Sequence, residues 1–353
     1  MFPLSSDILT LADEGAALLQ NRRLVFANDA ARRILGEDCL GKDLRSLFGS
    51  EVAEAQAASF LASVPIGGQN RLLRFSRRDD MQVVFFSLPD TGEALLSEGC
   101  LQAMRTGLMN LSLAVGSGRR LAGELGSEAL DACFGSLNRE YFRLNRLLSN
   151  LSTARSIFDG DLPMTPCTTD LGALVSDLAD SLGLLRPDVA ISCSAGRRVL
   201  LWADPQLLEL ALLNLLSNCL CHAKGLTQIR IELQGLRDRV YLTVRDDGCG
   251  IPGDKLCSVF HRYRAPQGLS DLSAGAGLGL TVVRGITEAH GGALMLESRE
   301  GAGTMVRLSL ARSSGGGQPL AEDCVPYAGR METLLTGLAD CLDERCFRGQ
   351  YAD

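Results

Sequence analysis

The chain has 353 residues, 46% of them hydrophobic and 22% charged, which supplies two or three packed domains and excludes wholesale disorder. Its 35 basic and 42 acidic residues leave a formal net charge of −7, and the Lys and Arg residues form no block, which argues against nucleic-acid binding. The start, MFPLSSDILTLADEGAALL, lacks a basic leader and a long apolar core, and no stretch of about 18 apolar residues occurs anywhere, so neither a secretion signal nor a membrane span is expected. Twelve cysteines are scattered, with Cys219 and Cys221 the only close pair. No zinc-type spacing appears, and the thiols are expected to be reduced in a cytoplasmic protein.

Residues 1–97 read as a small α+β module. Strand-like Ala16–Leu19 and Leu24–Phe26 precede Asn28, Asp29 and a helix-like Ala30–Leu35. Arg71–Arg77 and Met81–Leu88, joined by Arg78-Asp79-Asp80, predict a hairpin. This order of elements, with LVFANDAARRILG and GKDLRSLFG, resembles a PAS sensor domain without a ligand signature; a generic α+β domain is the alternative.

Residues 98–158 carry a helical period. Leu101, Met104, Leu108, Leu111 and Val115 form an a/d seam, and Leu130, Leu137, Leu144 and Leu151 repeat by heptad beside Phe134, Tyr141 and Leu148. Gly123–Gly126 marks a turn, and Ser127 can cap the second helix. Such a hairpin cannot bury both stripes alone. Dimerisation into a four-helix bundle would cover them, as would packing on a neighbouring domain of the same chain.

After Asp159-Gly160-Asp161, Pro163 and Pro166, residues 167–312 alternate helix and strand in the pattern of an α/β sandwich. Helices are expected at Leu171–Leu185, Pro205–His222 and Leu278–His290. Strands are expected at Val189–Ser194, Ile229–Leu233, Val240–Arg245, Ala293–Ser298 and Thr304–Leu310. In the remainder, 313–353, a flexible Ser313–Gly317 linker precedes an amphipathic tail, Met331–Leu342, that can dock on the body or bind a partner.

Three motifs in this region carry chemistry. Asn214 and Asn218 are four apart on one helical face, and an amide oxygen is a hard ligand suited to magnesium beside phosphates. Asp246, ending an apolar strand before Gly248 and Gly250, is a pure acceptor able to hold an exocyclic amine such as that of adenine. The run Gly275-Ala-Gly277-Leu278-Gly279 opens a helix, the setting in which backbone N–H groups cradle phosphate. No strand feeds it and no acid follows at the dinucleotide spacing, which disfavours a Rossmann unit.

In this order the motifs resemble the ATP-binding domain of sensor histidine kinases, in the GHKL superfamily. The resemblance covers about 145 residues and includes LLWADPQLLELALLNLLSN, VFHRYR (Val259–Arg264) and HGGALMLESREGAGTMVRLSL. It implies ATP and magnesium as ligands. Asn218 would ligate the metal, with Asn214 on the same helix. Asp246 would hold adenine, Gly248 and Gly250 would shape its pocket, and His222 would lie near the ring. Gly275, Gly277, Leu278 and Gly279 would frame the phosphates and hinge a lid between Gly253 and Ala274, with Arg262 reaching the γ-phosphate. His290 would be structural.

Three departures redirect the functional reading. Where the family has its phosphoaccepting His followed by an acid, this chain has Gln102 and Ala103. Gln has no nucleophilic nitrogen and Ala no base, and no His precedes residue 222 to replace them. Cys221 stands where the family usually has a phosphate-reaching Lys or Arg. Asn214 stands where related ATPases place a Glu base. The sequence thus reads as a sensor-kinase-like signalling protein, expected to be a cytoplasmic homodimer. It would bind ATP and relay a signal to a response regulator or another kinase without phosphorylating itself. The alternative is an active two-component-type kinase with another acceptor.

Overall fold

The computed structural model describes residues 14–78, 80–86, 98–195, 198–252, 256, 277–312 and 331–347. In the N-terminal module, β1 (Gly15–Gln20) and β2 (Arg23–Ala27) form a hairpin. Asn21 and Arg22 turn it with φ of 50° and 65°, the paired positive values of a type I′ turn. Asn28 caps helix α1 (Asp29–Leu35), and its Oδ1 accepts from the N–H groups of Ala31 and Ala16, each at 2.9 Å. One amide thus starts the helix and ties it to β1. Helix α2 (Leu44–Glu54) leads to β3 (Ser59–Ile66), β4 (Gln69–Arg78) and β5 (Met81–Phe86). The β4–β5 hairpin agrees with the sequence pattern, whereas β3 and α2 were not expected. The antiparallel strand order is β2-β1-β5-β4-β3, over a core in which Phe60 and Phe75 stack at 4.7 Å.

Helices α3 (Glu98–Glu124) and α4 (Glu128–Asp159) form the expected hairpin. Ser127 caps α4 by accepting from the Leu130 N–H at 3.4 Å. Gly118 approaches Phe134 so closely that a Cβ would meet the ring at 2.2 Å. Leu101, Val115 and Ala122 are buried, while Met104, Leu111, Leu130, Leu137 and Leu144 remain exposed. A second side of α4, through Phe142 and Ala154, enters the core of the following region. The apolar stripes of α4 therefore divide: part is covered within the chain and part is uncovered.

In the third region β6 (Cys167–Asp170) pairs with β8 (Leu200–Ala203), a two-stranded element that the sequence did not announce. Helix α5 (Leu171–Leu185) leads to β7 (Ala190–Ala195), and α6 (Pro205–His222) leads to β9 (Gln228–Gly235) and β10 (Arg239–Asp246). Helix α7 (Gly279–Ala289), β11 (Ala293–Ser298) and β12 (Thr304–Ala311) follow. The strands order β11-β12-β10-β9-β7, antiparallel except for β7 with β9. The apolar faces of α5, α6 and α7 share one core with them, so this region is a mixed α+β layer structure.

The two sheets are one. β3 pairs antiparallel with β11, setting Ala62, Leu61 and Phe60 opposite Met295, Leu296 and Glu297. The cores interlock there: Leu61 packs with the third region and Met295 with the N-terminal module. Ser63 bonds Glu288 and Arg239 pairs with Glu51 beside the junction.

The tail docks on the body. Helix α8 (Met331–Leu338) lies on α6 and α4 and buries Leu334, Leu335 and Leu338, with Leu342 beyond it. Asp340 receives Arg143 at 2.7 Å and also Arg146, and the Asn138 amide donates to the Phe347 carbonyl at 3.2 Å. Among the described residues, no helix is long and apolar enough to cross a membrane. The Ser313–Gly317 linker lies outside the described residues.

Candidate ATP-binding site

Helix α6 owes its start to Asp204-Pro205, a capping carboxylate followed by a ring that favours the first helical position. Asp204 Oδ1 accepts from the N–H groups of Gln206 (3.0 Å) and Leu207 (3.1 Å). Its Oδ2 accepts from the Thr165 N–H (2.8 Å) and hydroxyl (3.1 Å). The Asp204 N–H donates to His290 Nε2 at 3.1 Å. A nitrogen that accepts carries no proton, so the His290 proton sits on Nδ1, 2.7 Å from the Ile286 carbonyl. Burial pushes the His290 pKa below its ordinary value. This histidine is a neutral strut with both nitrogens engaged, as the structural role required.

That arrangement sets a pH dependence. Unfolded His290 titrates near the ordinary value of about 6.5, and the folded ring resists protonation. Stability is therefore present above that pH and is lost as pH falls through it toward the lower folded value. Melting temperature should decline between about pH 7 and 5.5 in the wild type, and His290→Leu should remove part of that slope. An unchanged slope in the variant would contradict the assignment.

Asn214 and Asn218 share one face of α6, as their spacing requires. Both lie beside the start of α7: a Cβ on Gly279 would be 3.2 Å from Asn214 Oδ1 and 3.7 Å from Asn218 Oδ1. Leu278, at the N-cap of α7, makes no side-chain capping bond to the first N–H groups of that helix. Gly277 precedes it with φ of 65°. An uncapped helix start beside amide oxygens fits a phosphate and its cation. The two Asn residues nevertheless differ. The amide of Asn214 is 2% exposed and exchanges two bonds of 2.9 Å with that of Asn150 on α4. Asn218 is half-buried and is the better placed of the two to hold an ion.

Asp246 ends β10 at 5% exposure. Its Oδ1 accepts from the Gly248 N–H at 3.0 Å and the Thr304 N–H at 3.2 Å, and neither amide uses Oδ2. Burial raises its pKa, and hydrogen bonds from Gly248, Thr304 and the Cys219 thiol oppose that rise. Its neighbour Asp247 faces the other way. It holds the N–H groups of Thr227 and Gln228, each at 2.9 Å, and the Thr227 hydroxyl. These bonds, led by the Thr227 hydroxyl, lower its pKa to about 2. Asp246, the carboxylate singled out in the sequence, is thus the buried one, and Asp247 is exposed.

Gly248 and Gly250 are required by the protein's own backbone. A Cβ on Gly248 would stand 2.4 Å from that of Ala223, and one on Gly250 would stand 2.0 Å from the Arg299 carbonyl. The loop adjoins the end of α6 through Cys249, whose thiol bonds the His222 carbonyl at 3.7 Å. Arg262, Gly275 and the lid segment apart from Leu256 lie outside the described residues. Gln102 and Ala103 are exposed on α3, and Cys221 is exposed at the end of α6.

Residues 203–314 match the family model of histidine kinase-, DNA gyrase B- and HSP90-like ATPases. The histidine-protein kinase AfsQ2 of Streptomyces coelicolor is 29% identical over 184 residues, covering 52% of this chain and 33% of that protein. The sensor histidine kinase ZraS of Salmonella typhimurium is 40% identical over 111 residues, 31% of this chain and 22% of that one. The chain thus spans about a third or less of the length of these curated relatives. Among solved structures, full-length ShkA in complex with AMPPNP shares the fold at a TM-score of 0.50 and 18% identity, over 63% of this chain and 47% of that one. The described geometry and these likenesses agree: residues 203–314 are an ATPase domain of the histidine kinase-, DNA gyrase B- and HSP90-like type, similar to the ATP-binding domains of sensor histidine kinases.

Proposed function

We propose that this protein is a nucleotide-binding signalling scaffold of the sensor kinase type, which binds ATP with magnesium and does not phosphorylate itself. The observation that carries the reading is an ATP-type site, built on Asp246 and the open start of α7, joined to a hairpin whose acceptor position is Gln102. When bound, magnesium would neutralise the phosphates; Asn218 would hold it, and Asp246 Oδ2 would accept from the adenine amine. Asn214 cannot take a proton from water, and its amide is already committed to Asn150. Efficient ATP hydrolysis is therefore not expected.

The five-stranded antiparallel sheet with two helices between β2 and β3 supports a PAS-like input module at residues 14–86. Its junction with β11 offers a direct route from that module to the ATP-binding region. A rival reading, phosphotransfer to a His, Ser or Thr of a partner chain, is favoured by the retention of Asn218 and Asp246. A response regulator or another kinase is the partner class for either reading.

The uncovered stripe of Met104, Leu111, Leu130, Leu137 and Leu144 supports a homodimer through a four-helix bundle. Leu137 is 48% exposed within one chain, so Leu137→Glu leaves the folded monomer intact and places a charge in the pair's core. Light scattering at micromolar concentration should show a dimer for the wild type and a monomer for the variant. Calorimetry on the wild type should show binding of ATP with magnesium. A wild type that is monomeric, or that ignores ATP, contradicts the corresponding part of the reading.

A further inference from the structure

Cys221 and Cys341 come from segments 120 residues apart, yet their Sγ atoms lie 2.7 Å from each other. Neither was drawn together by a local turn. Cys221 ends the exposed side of α6, and Cys341 follows α8 in the docked tail. Ser217, one helical turn before Cys221, completes the contact: its Oγ is 3.1 Å from Cys341 Sγ and 3.9 Å from Cys221 Sγ. Gly337 makes the approach possible, because a Cβ there would meet Leu213 of α6 at 2.7 Å. The ion pairs of Asp340 with Arg143 and Arg146 fix the residue next to Cys341.

From this contact we propose that Cys221 and Cys341 form a reversible oxidation site, a disulfide made by a peroxide-class oxidant, which fastens the C-terminal tail to the ATP-binding helix α6. Three observations favour redox chemistry over alternatives. Among the described residues no group of three or more His, Cys, Asp or Glu side chains could hold a metal ion, and the pair belongs to none there. Cys221 is exposed and has its pKa drawn down to about 7 by the hydrogen bond with Cys341, with Ser217 and the Arg146 charge acting in the same direction. Cys341 is less exposed, and its pKa is raised by the same contact, which makes Cys221 the attacking thiolate and Cys341 the resolving thiol.

The step balances. The Cys221 thiolate attacks one peroxide oxygen, the O–O bond breaks, and hydroxide leaves, giving a sulfenic acid. Cys341 then attacks the sulfenyl sulfur, the S–S bond forms, and the sulfenyl oxygen departs as water with the thiol proton. Two thiols lose two electrons, and one peroxide gains them. A dithiol reductant reverses the reaction.

The tail touches both α6 and α4, so the bond locks, until it is reduced, a contact that is otherwise held by side-chain packing and Asp340. The ATP-binding region is then joined covalently to a tail whose Asp340 pairs with Arg143 and Arg146 of the helical hairpin. In the reduced protein the same contact remains free to open.

The test uses the full chain treated with a low excess of hydrogen peroxide, alkylated, and digested with trypsin. Val199–Lys224 and Met331–Arg345 should be recovered as one linked species lacking two hydrogens, and reduction should separate them. Fragmentation should place the link at Cys221 and not at the buried Cys219. Both Cys221→Ser and Cys341→Ser should abolish the species. Amide exchange across α8 should slow in the oxidised wild type and not in either variant. The proposal is overturned if no linked species forms while the exposed Cys133 is being oxidised, or if the species persists undiminished in Cys221→Ser.

Discussion

Asp246→Asn should weaken ATP binding roughly 5- to 150-fold, the equivalent of about 1–3 kcal/mol for a mispaired buried polar group. The Asn oxygen can still take the N–H groups of Gly248 and Thr304, which both point at Oδ1 in the wild type. The fold around the loop is thereby kept. The other arm becomes an NH2 donor, and it meets a donor on the adenine ring. Calorimetry with ATP and magnesium on the two proteins measures the difference, with melting curves to show that the variant is folded. Equal affinities would remove Asp246 from the site.

The largest effect on stability should come from Asp204→Ala. The carboxylate is 3% exposed and accepts four bonds, two from the first turn of α6 and two from Thr165. Loss of a helix cap costs about 0.5–2 kcal/mol, and unpaired donors at Thr165 add to it, giving about 2–4 kcal/mol in all. Urea denaturation should show the midpoint falling accordingly. Asp204→Asn, which retains one capping oxygen, should lose less. A variant as stable as the wild type would mean that α6 is anchored by its apolar face alone.

Much of this was legible from local pattern. Asp204-Pro205 marks the start of α6, Ser127 marks the start of α4, the apolar run Val240–Arg245 becomes β10 with one more residue at each end, and Ala293–Ser298 becomes β11 with the same bounds. The carboxylate and glycine motifs were legible because their chemistry depends on neighbours in sequence.

What was hidden depends on distant partners. β3 contains Pro65, which breaks the strand signal, and it sits opposite Asn70 where β4 begins. The join of β3 to β11 leaves no periodic trace in either segment. Asn150 reads as one more polar residue on a long helix; its bond to Asn214 crosses 64 residues and reveals itself only where α4 meets α6. Cys341 sits inside an apolar stripe and reads as a small hydrophobe. The stripe itself was visible, and the surface that receives it was not.

A chain that binds ATP but lacks a phosphoacceptor at residue 102 is tested by incubating the purified full chain with γ-labelled ATP and magnesium, followed by parallel acid and base treatment and by mapping of any retained label. Gln102 and Ala103 offer neither nucleophile nor base, and His290 has both ring nitrogens engaged. The wild-type chain should carry no acid-labile, base-stable phosphate, alongside measurable ATP binding in the same preparation. Acid-labile phosphate mapped to a histidine of the unmodified chain would contradict this and show an active histidine kinase.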